Sequence, residues 1–266
     1  MAFTYILLQL PTLLLLAMLL FFAIGISALT TQLFRKYVRL NPNGVDNEGV
    51  GFIFAAAGGL YFFLLAFTVF VVWDQYNQAK QDTETEASVA MGLYRDIRYY
   101  PDSVASEGME RVFVTYIHSV LHDEFPAMER MEESDPMDQP FNALFKMTEG
   151  LNSDAAYLNF KAEEIFRHLN EMATLRNLRT LAAYSELSYL IWIPIILGAI
   201  FIMVFAMLLD VKSSRLQMLM NMLLSALLAM AFYLILIFDH PFTGQMKIES
   251  KSFERILKFT DEQSPL

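Results

Sequence analysis

Residues 49–73 read GVGFIFAAAGGLYFFLLAFTVFVVW, and residues 74–100 continue DQYNQAKQDTETEASVAMGLYRDIRYY up to Pro101. The first stretch is uncharged and exceeds the ~20 apolar residues that carry a helix across a ~30 Å hydrocarbon core. It lacks the alternation of a barrel strand, and a backbone without water must satisfy its own hydrogen bonds, so it reads as a transmembrane helix. In the second stretch Trp73, Tyr76, Lys80, Thr83, Ala87, Ala90, Tyr94 and Ile97 recur at spacings of three and four. That stripe predicts one helix running out of the membrane into water until Tyr100-Pro101 ends it. Trp73 and Tyr76 fall where an interfacial aromatic belt sits.

Three further uncharged runs, Met1 to Phe34, Leu187 to Leu209 and Leu216 to Phe238, are also long enough to span. The first has no basic n-region and too long an apolar stretch for a secretory signal, so it is expected to remain as a span, with Pro11 tolerated as a first turn or a mild kink. The expected fold is all-α: a polytopic membrane protein with four transmembrane helices and a helical extramembrane domain between spans two and three. Residues 1–74 form one membrane hairpin, 75–186 the acidic helical domain, 187–240 a second hairpin and 241–266 a C-terminal tail.

The net charge of −10 is concentrated. Between Gln75 and Ser188 there are 20 Asp/Glu against 10 Lys/Arg, which accounts for the whole imbalance. Such a domain repels nucleic acid and anionic headgroups, so nucleic-acid binding is excluded and the lipid bilayer is the evident partner. Cysteine is absent, which removes disulfides and thiolate chemistry. Orientation rests on the short basic loops, with Arg35, Lys36 and Arg39 before the turn Asn41-Pro42-Asn43-Gly44, and Lys212 and Arg215 between the last two spans. The positive-inside rule places these loops in the cytoplasm and the acidic domain outside a bacterial inner (plasma) membrane.

Within the domain, a helix capped by Asp102 or Ser103 is predicted to bury Val112, Phe113, Tyr116, Ile117, Val120 and Leu121. Pro126, Pro136 and Pro140 are expected to break the middle into a loop and a short helix over 141–148. A cap at Ser153 or Asp154 opens a long helix through Tyr157, Phe160, Glu164, Ile165, Leu169, Met172 and Leu175. No breaker occurs before Pro194, so this helix is expected to enter the third span without interruption.

Phosphate-loop, nucleophile-elbow, zinc-protease and dinucleotide signatures are all missing, which argues against an enzyme and against a cofactor. His118 and His122 have the spacing to share a metal ion, but they also fit the wet face of an amphipathic helix, and no metal is assigned. Asp82, Glu84 and Glu86 read either as an acidic ring around an oligomer axis or as the solvated side of an exposed helix. Gly58, Phe62, Ala66, Phe70 and Trp73 share one face of the second span, a candidate pore or packing face, small at one end and aromatic at the other. None of the spans holds an Asp, Glu, Lys, Arg or His, which leaves a proton-coupled or charged-substrate transporter without a relay.

Several stretches together resemble a bacterial bestrophin-like membrane family. They are Glu48-Gly49-Val50-Gly51-Phe52, Val72-Trp73-Asp74-Gln75-Tyr76, Glu86-Ala87, Leu93-Tyr94-Arg95, Arg176 with Arg179, Ile193-Pro194 and Asp239-His240-Pro241-Phe242-x-Gly244. The resemblance implies a two-plus-two arrangement of spans around a helical insert. True bestrophins are pentameric anion channels whose second helix lines an axial pore with Phe constrictions and whose helical domain faces the cytosol. An acidic calcium clasp after the last span is not found here. The turn from Asp239 to Gly244 also has a physical reading, in which Pro241 ends the fourth helix, Asp239 accepts from following amides and Gly244 permits a tight turn. The functional expectation is a homo-oligomeric ion channel, most simply for anions. Its rival is a membrane-anchored scaffold whose acidic domain binds a partner protein.

Overall fold

The computed structural model describes residues 2–38, 44–132, 138–151, 156–209 and 211–263. Arg39, the Asn41-Pro42-Asn43 turn, Pro136 and the cap expected at Ser153 or Asp154 lie outside them. The helices are α1 (Ala2–Leu8), α2 (Thr12–Tyr37), α3 (Gly44–Arg98), α4 (Ser103–Ser119), α5 (Phe125–Glu129), α6 (Asp138–Glu149), α7 (Ala156–Tyr184), α8 (Tyr189–Leu208), α9 (Ser214–Phe238) and α10 (Lys251–Gln263). No strand occurs among the described residues, and α2, α3, α8 and α9 are long and apolar enough to cross a membrane. The chain divides into two compact units, one of residues 6–76 and 186–239, the other of residues 1–5, 77–185 and 240–266.

In the first unit, α2 lies along α9 and α8 packs beside α9. Polar side chains fasten them, as expected where apolar helices gain little from leaving lipid. Asn221 donates to Thr31 Oγ1 at 3.0 Å, Ser225 donates to the Ala23 carbonyl at 3.1 Å, and Arg35 reaches Gln217 Oε1 and the Val211 carbonyl, each at 2.6 Å. The α3 face formed by Tyr61, Leu65 and Val72 is buried with Ile195 and Ile202 of α8 and Leu228 and Ile235 of α9. The Tyr61 hydroxyl donates to the Ile195 carbonyl at 2.9 Å. Its ring fills the space over Gly198, where an added Cβ would lie 2.3 Å from a ring carbon.

The second unit is a helical bundle built on the continuation of α3. At 55 residues α3 is about 80 Å long at helical rise. It closes on Arg95 and Arg98, cations suited to a helix C-terminus, and the Ser106 hydroxyl caps the Ile97 carbonyl at 2.8 Å. Asp102 is the N-cap of α4, accepting from the amides of Val104 and Ala105 at 3.0 and 3.2 Å. The core joins Ala90, Leu93, Tyr94 and Ile97 of α3 to Phe113, Tyr116 and Ile117 of α4, Phe141 and Leu144 of α6, Ile165, Leu169 and Met172 of α7, and Phe253 and Ile256 of α10.

Three expectations need correction. The apolar run at the N-terminus is two helices, with Pro11 as the N-cap of α2, because its fixed φ and missing N–H suit a helix start. The long helix does not flow into the third span: α7 ends at Tyr184, residues 185–188 are not helical, and Ser188 caps α8 by accepting from Leu190 N. Serine competes locally for backbone groups and so starts a new helix without any proline. Pro126 does not break the chain into a loop. It sits in the first turn of α5 after a π-turn over 120–124, in which Phe125 N–H donates to the Val120 carbonyl. The wider turn relieves the clash a proline ring makes with the carbonyl four residues back. The tail carries α10, whose Phe253, Ile256 and Thr260 are buried.

Candidate functional site

The sequence offers two places for function: the outer face of α3 and the charged residues of the second unit. On α3, Tyr61, Leu65, Thr68 and Val72 are buried, while Phe62, Ala66, Phe70 and Trp73 are exposed, Phe70 by 56 % and Trp73 by 46 %. Of the five residues of the candidate pore or packing face, the chain's own helices cover Gly58 alone. Phe70 and Trp73 lie against each other with ring centroids 6.3 Å apart. The result is an apolar aromatic stripe left for something outside the protomer, either lipid or another copy. Asp74 just beyond it is exposed, and Tyr76 meets the Phe238 ring edge-on at 5.4 Å.

Glu86 is placed differently from either sequence reading. It is neither solvated nor free to form a ring at an axis: its side chain is fully buried against Arg179 of α7. Arg179 Nε donates to Glu86 Oε2 at 2.7 Å and Nη2 donates to Oε1 at 3.1 Å, a two-point pairing that suits the flat guanidinium. Nη2 also reaches Glu124 Oε2 at 2.6 Å, and Arg176 completes the set through Glu124 Oε1 at 2.7 Å. Two carboxylates and two guanidiniums therefore balance, as a buried cluster requires. The Tyr116 hydroxyl stands 3.5 Å from Glu86 Oε1.

Electrostatics separates the two carboxylates. Burial raises the Glu86 carboxyl above its ordinary pKa, with Arg179 acting against it. Burial also acts to raise Glu124, but Arg179 and Arg176 together overcome it and hold Glu124 below the ordinary value. Tyr116 is pushed well up by burial and by both carboxylates. Tyr94, whose hydroxyl donates to Glu110 at 2.9 Å, is pushed up to about 12 by burial and that bond.

Motif pieces far apart in sequence converge here. The Arg179 guanidinium lies over the rings of Phe125 and Phe253 at 5.2 and 5.7 Å, and Phe125 packs edge-on against Phe242 at 6.2 Å. Phe242 belongs to the buried turn with Pro241 and Gly244, whose φ of +79° requires glycine. Pro241 fixes that turn by accepting from Ile248 N at 2.7 Å. Asp239 Oδ1 accepts from Leu187 N at 2.8 Å, tying the start of α8 to the end of α9. Arg95 and Pro194 are exposed. His118 and His122 are exposed with stacked rings 5.7 Å apart, and among the described residues no third donor gathers with them.

Residues 20–253 match the Bestrophin-like domain. The chain belongs to the bestrophin-like family. Its fold agrees: crystal structures of a bacterial bestrophin homologue from Klebsiella pneumoniae superpose on this bestrophin-like chain at TM-scores of 0.65 and, for a point mutant, 0.67. They cover 94 % of this chain and 98 % and 99 % of the homologue, at 13 % and 12 % identity, so the likeness is one of fold. No curated protein matches the sequence.

The family motif marks Glu86, Arg176 and Arg179, and the apolar stripe of α4 marks Tyr116 as buried, but neither brings Glu124 to them. The signal was present: Glu124 continues the stripe Phe113, Ile117, Val120, just as Arg179 continues Ile165, Leu169, Met172.

Proposed function

We propose that this bestrophin-like protein is a homo-oligomeric ion channel, in which α3 faces the symmetry axis and Phe62, Ala66, Phe70 and Trp73 line the conducting path. The observation that carries this reading is the bare aromatic stripe on α3 opposite a well-buried one. Several copies around an axis would cover it, and rings of Phe would form a narrow, readily dewetted constriction. Anions are the proposed cargo. Family kinship supports them, and so does the positive edge that phenylalanine rings present toward an axis. The second unit is proposed to lie outside the cytoplasm, by the basic short loops, and a reporter fused at residue 130 tests that side.

Purified protein reconstituted into planar bilayers tests the channel. The expected result is a conductance absent from empty membranes, reversing near the chloride equilibrium potential in a KCl gradient and enlarged by Phe62→Ala. A protein that stays monomeric in native mass spectrometry and conducts no more than the controls overturns it. A stoichiometric co-purifying protein would then favour the scaffold.

A further inference from the structure

Away from the buried charge cluster, α3 and α7 bring together a second group of ionisable side chains. Glu164 and His168 stand one turn apart on α7, and Asp96 faces them from α3. One donor atom from each of the three lies within 4.8 Å of the others. His168 Nδ1 meets Asp96 Oδ2 at 2.8 Å, and the room for the imidazole comes from Gly92, where an added Cβ would stand 3.3 Å from His168 Nε2. All three side chains are partly buried, with His168 the least exposed at 18 %.

A cation already occupies this place. Arg167 Nη2 bridges Glu164 Oε2 at 2.8 Å and His168 Nε2 at 3.1 Å. Because a guanidinium only donates, Nε2 must accept, which assigns the imidazole proton to Nδ1 and its hydrogen bond to Asp96. Arg167 is itself half-exposed and lies 3.5 Å from a second carboxylate, Glu171. It can leave Glu164 without losing an ion-pair partner.

We propose that Asp96, Glu164 and His168 form a divalent-cation site that clamps α3 to α7, selective for a borderline metal of the zinc type. Two carboxylates and an imidazole are a donor set for Zn2+ and its neighbours, whereas Ca2+ and Mg2+ prefer oxygen alone. A tetrahedral ion needs its ligand atoms about 3.3 Å apart, so closing the cluster takes small side-chain shifts and no movement of helices. On binding, the metal replaces the proton shared by His168 Nδ1 and Asp96. That proton moves to Nε2, which can no longer accept from Arg167, and the guanidinium turns to Glu171. Water fills the remaining coordination positions.

The test is Zn2+ binding to the tag-free, full-length protein in detergent, read by isothermal titration and by the shift in melting temperature. One Zn2+ per chain is expected, with little response to Ca2+ or Mg2+. His168→Gln and Asp96→Asn, which preserve hydrogen bonding, should each weaken binding by roughly 10–100-fold. Arg167→Ala should tighten it about tenfold, since it removes the competing cation at the cost of two exposed ion pairs. That gain is an outcome a purely structural cluster cannot produce. Loss of binding in His118→Ala/His122→Ala with none in His168→Gln would assign the metal to the exposed pair and overturn the proposal, as would the absence of stoichiometric binding or a weakening by Arg167→Ala.

Discussion

Arg179 and Glu86, 93 positions apart in sequence, meet side by side with neither exposed to water, Nε to Oε2 at 2.7 Å and Nη2 to Oε1 at 3.1 Å. The pair joins α7 to the extramembrane part of α3, and Glu124 ties both to the π-turn after α4. A charge group this far from solvent is only as good as its completeness. Removing the guanidinium strands Glu86 and leaves Glu124 to Arg176 alone, whereas removing the whole set could leave an ordinary apolar core.

Arg179→Ala should therefore destabilise the protein by roughly 3–5 kcal/mol, the range for breaking a buried pair on one side. Adding Glu86→Leu should recover part of the loss, since one stranded charge is removed. Thermal melts of the single and double variants in detergent check this. Additive losses would mean that the two residues do not act as a unit.

The two carboxylates predict pH dependences of opposite sign. Glu124 has a lowered pKa in the fold, so its contribution is complete above the ordinary carboxylate value and is lost as pH falls through the folded one. Glu86 has a raised pKa, so its contribution is complete below the ordinary value and declines as pH rises through the folded one. Relative to wild type, the stability deficit of Glu124→Gln should widen from acid toward neutral pH, while that of Glu86→Gln should narrow. Melting curves across that range measure both, and parallel trends would contradict the assignment.

These residues show what the sequence made legible. The spans could be read because an uncharged run of span length has few folded alternatives. The stalk of α3 could be read because its stripe of small and aromatic residues keeps a helical period through Ile97. The burial of Glu86 escaped because its neighbours Asp82 and Glu84 resemble a wet face, and only its position between Thr83 and Ala90 on the apolar stripe gives it away. The break at residues 185–188 escaped for another reason. It depends on Ser188 as a cap and on Asp239 from the distant end of α9, and neither is a breaker by composition. Asp96 and His168 were invisible as a pair because 72 positions separate them.

Within the membrane unit, the contact of Tyr61 with Gly198 is the tightest test of packing. A Cβ at position 198 would stand 2.3 Å from the Tyr61 ring, closer than carbon atoms can approach. Gly198→Ala should cost about 1–3 kcal/mol, as overpacking does, and should release the Tyr61 bond to the Ile195 carbonyl. Tyr61→Ala should remove the clash, so the double variant should melt above the sum of the single losses. A Gly198→Ala protein that melts like wild type would show that α3 and α8 are not so closely apposed.

Leu187 N lies in the non-helical link before α8, so no preceding turn of helix offers it a carbonyl, and Asp239 Oδ1 supplies the acceptor at 2.8 Å. Asp239→Ala leaves that amide without its partner in a part-buried place, a loss of roughly 1–3 kcal/mol. Asp239→Asn keeps a carbonyl oxygen in nearly the same position and should cost distinctly less. Hydrogen exchange separates this from a general weakening. The amide of Leu187 should lose protection in Asp239→Ala while amides at the centre of α9, such as Leu228, keep theirs. If both regions loosen together, Asp239 supports the helix pair through something other than the cap on Leu187.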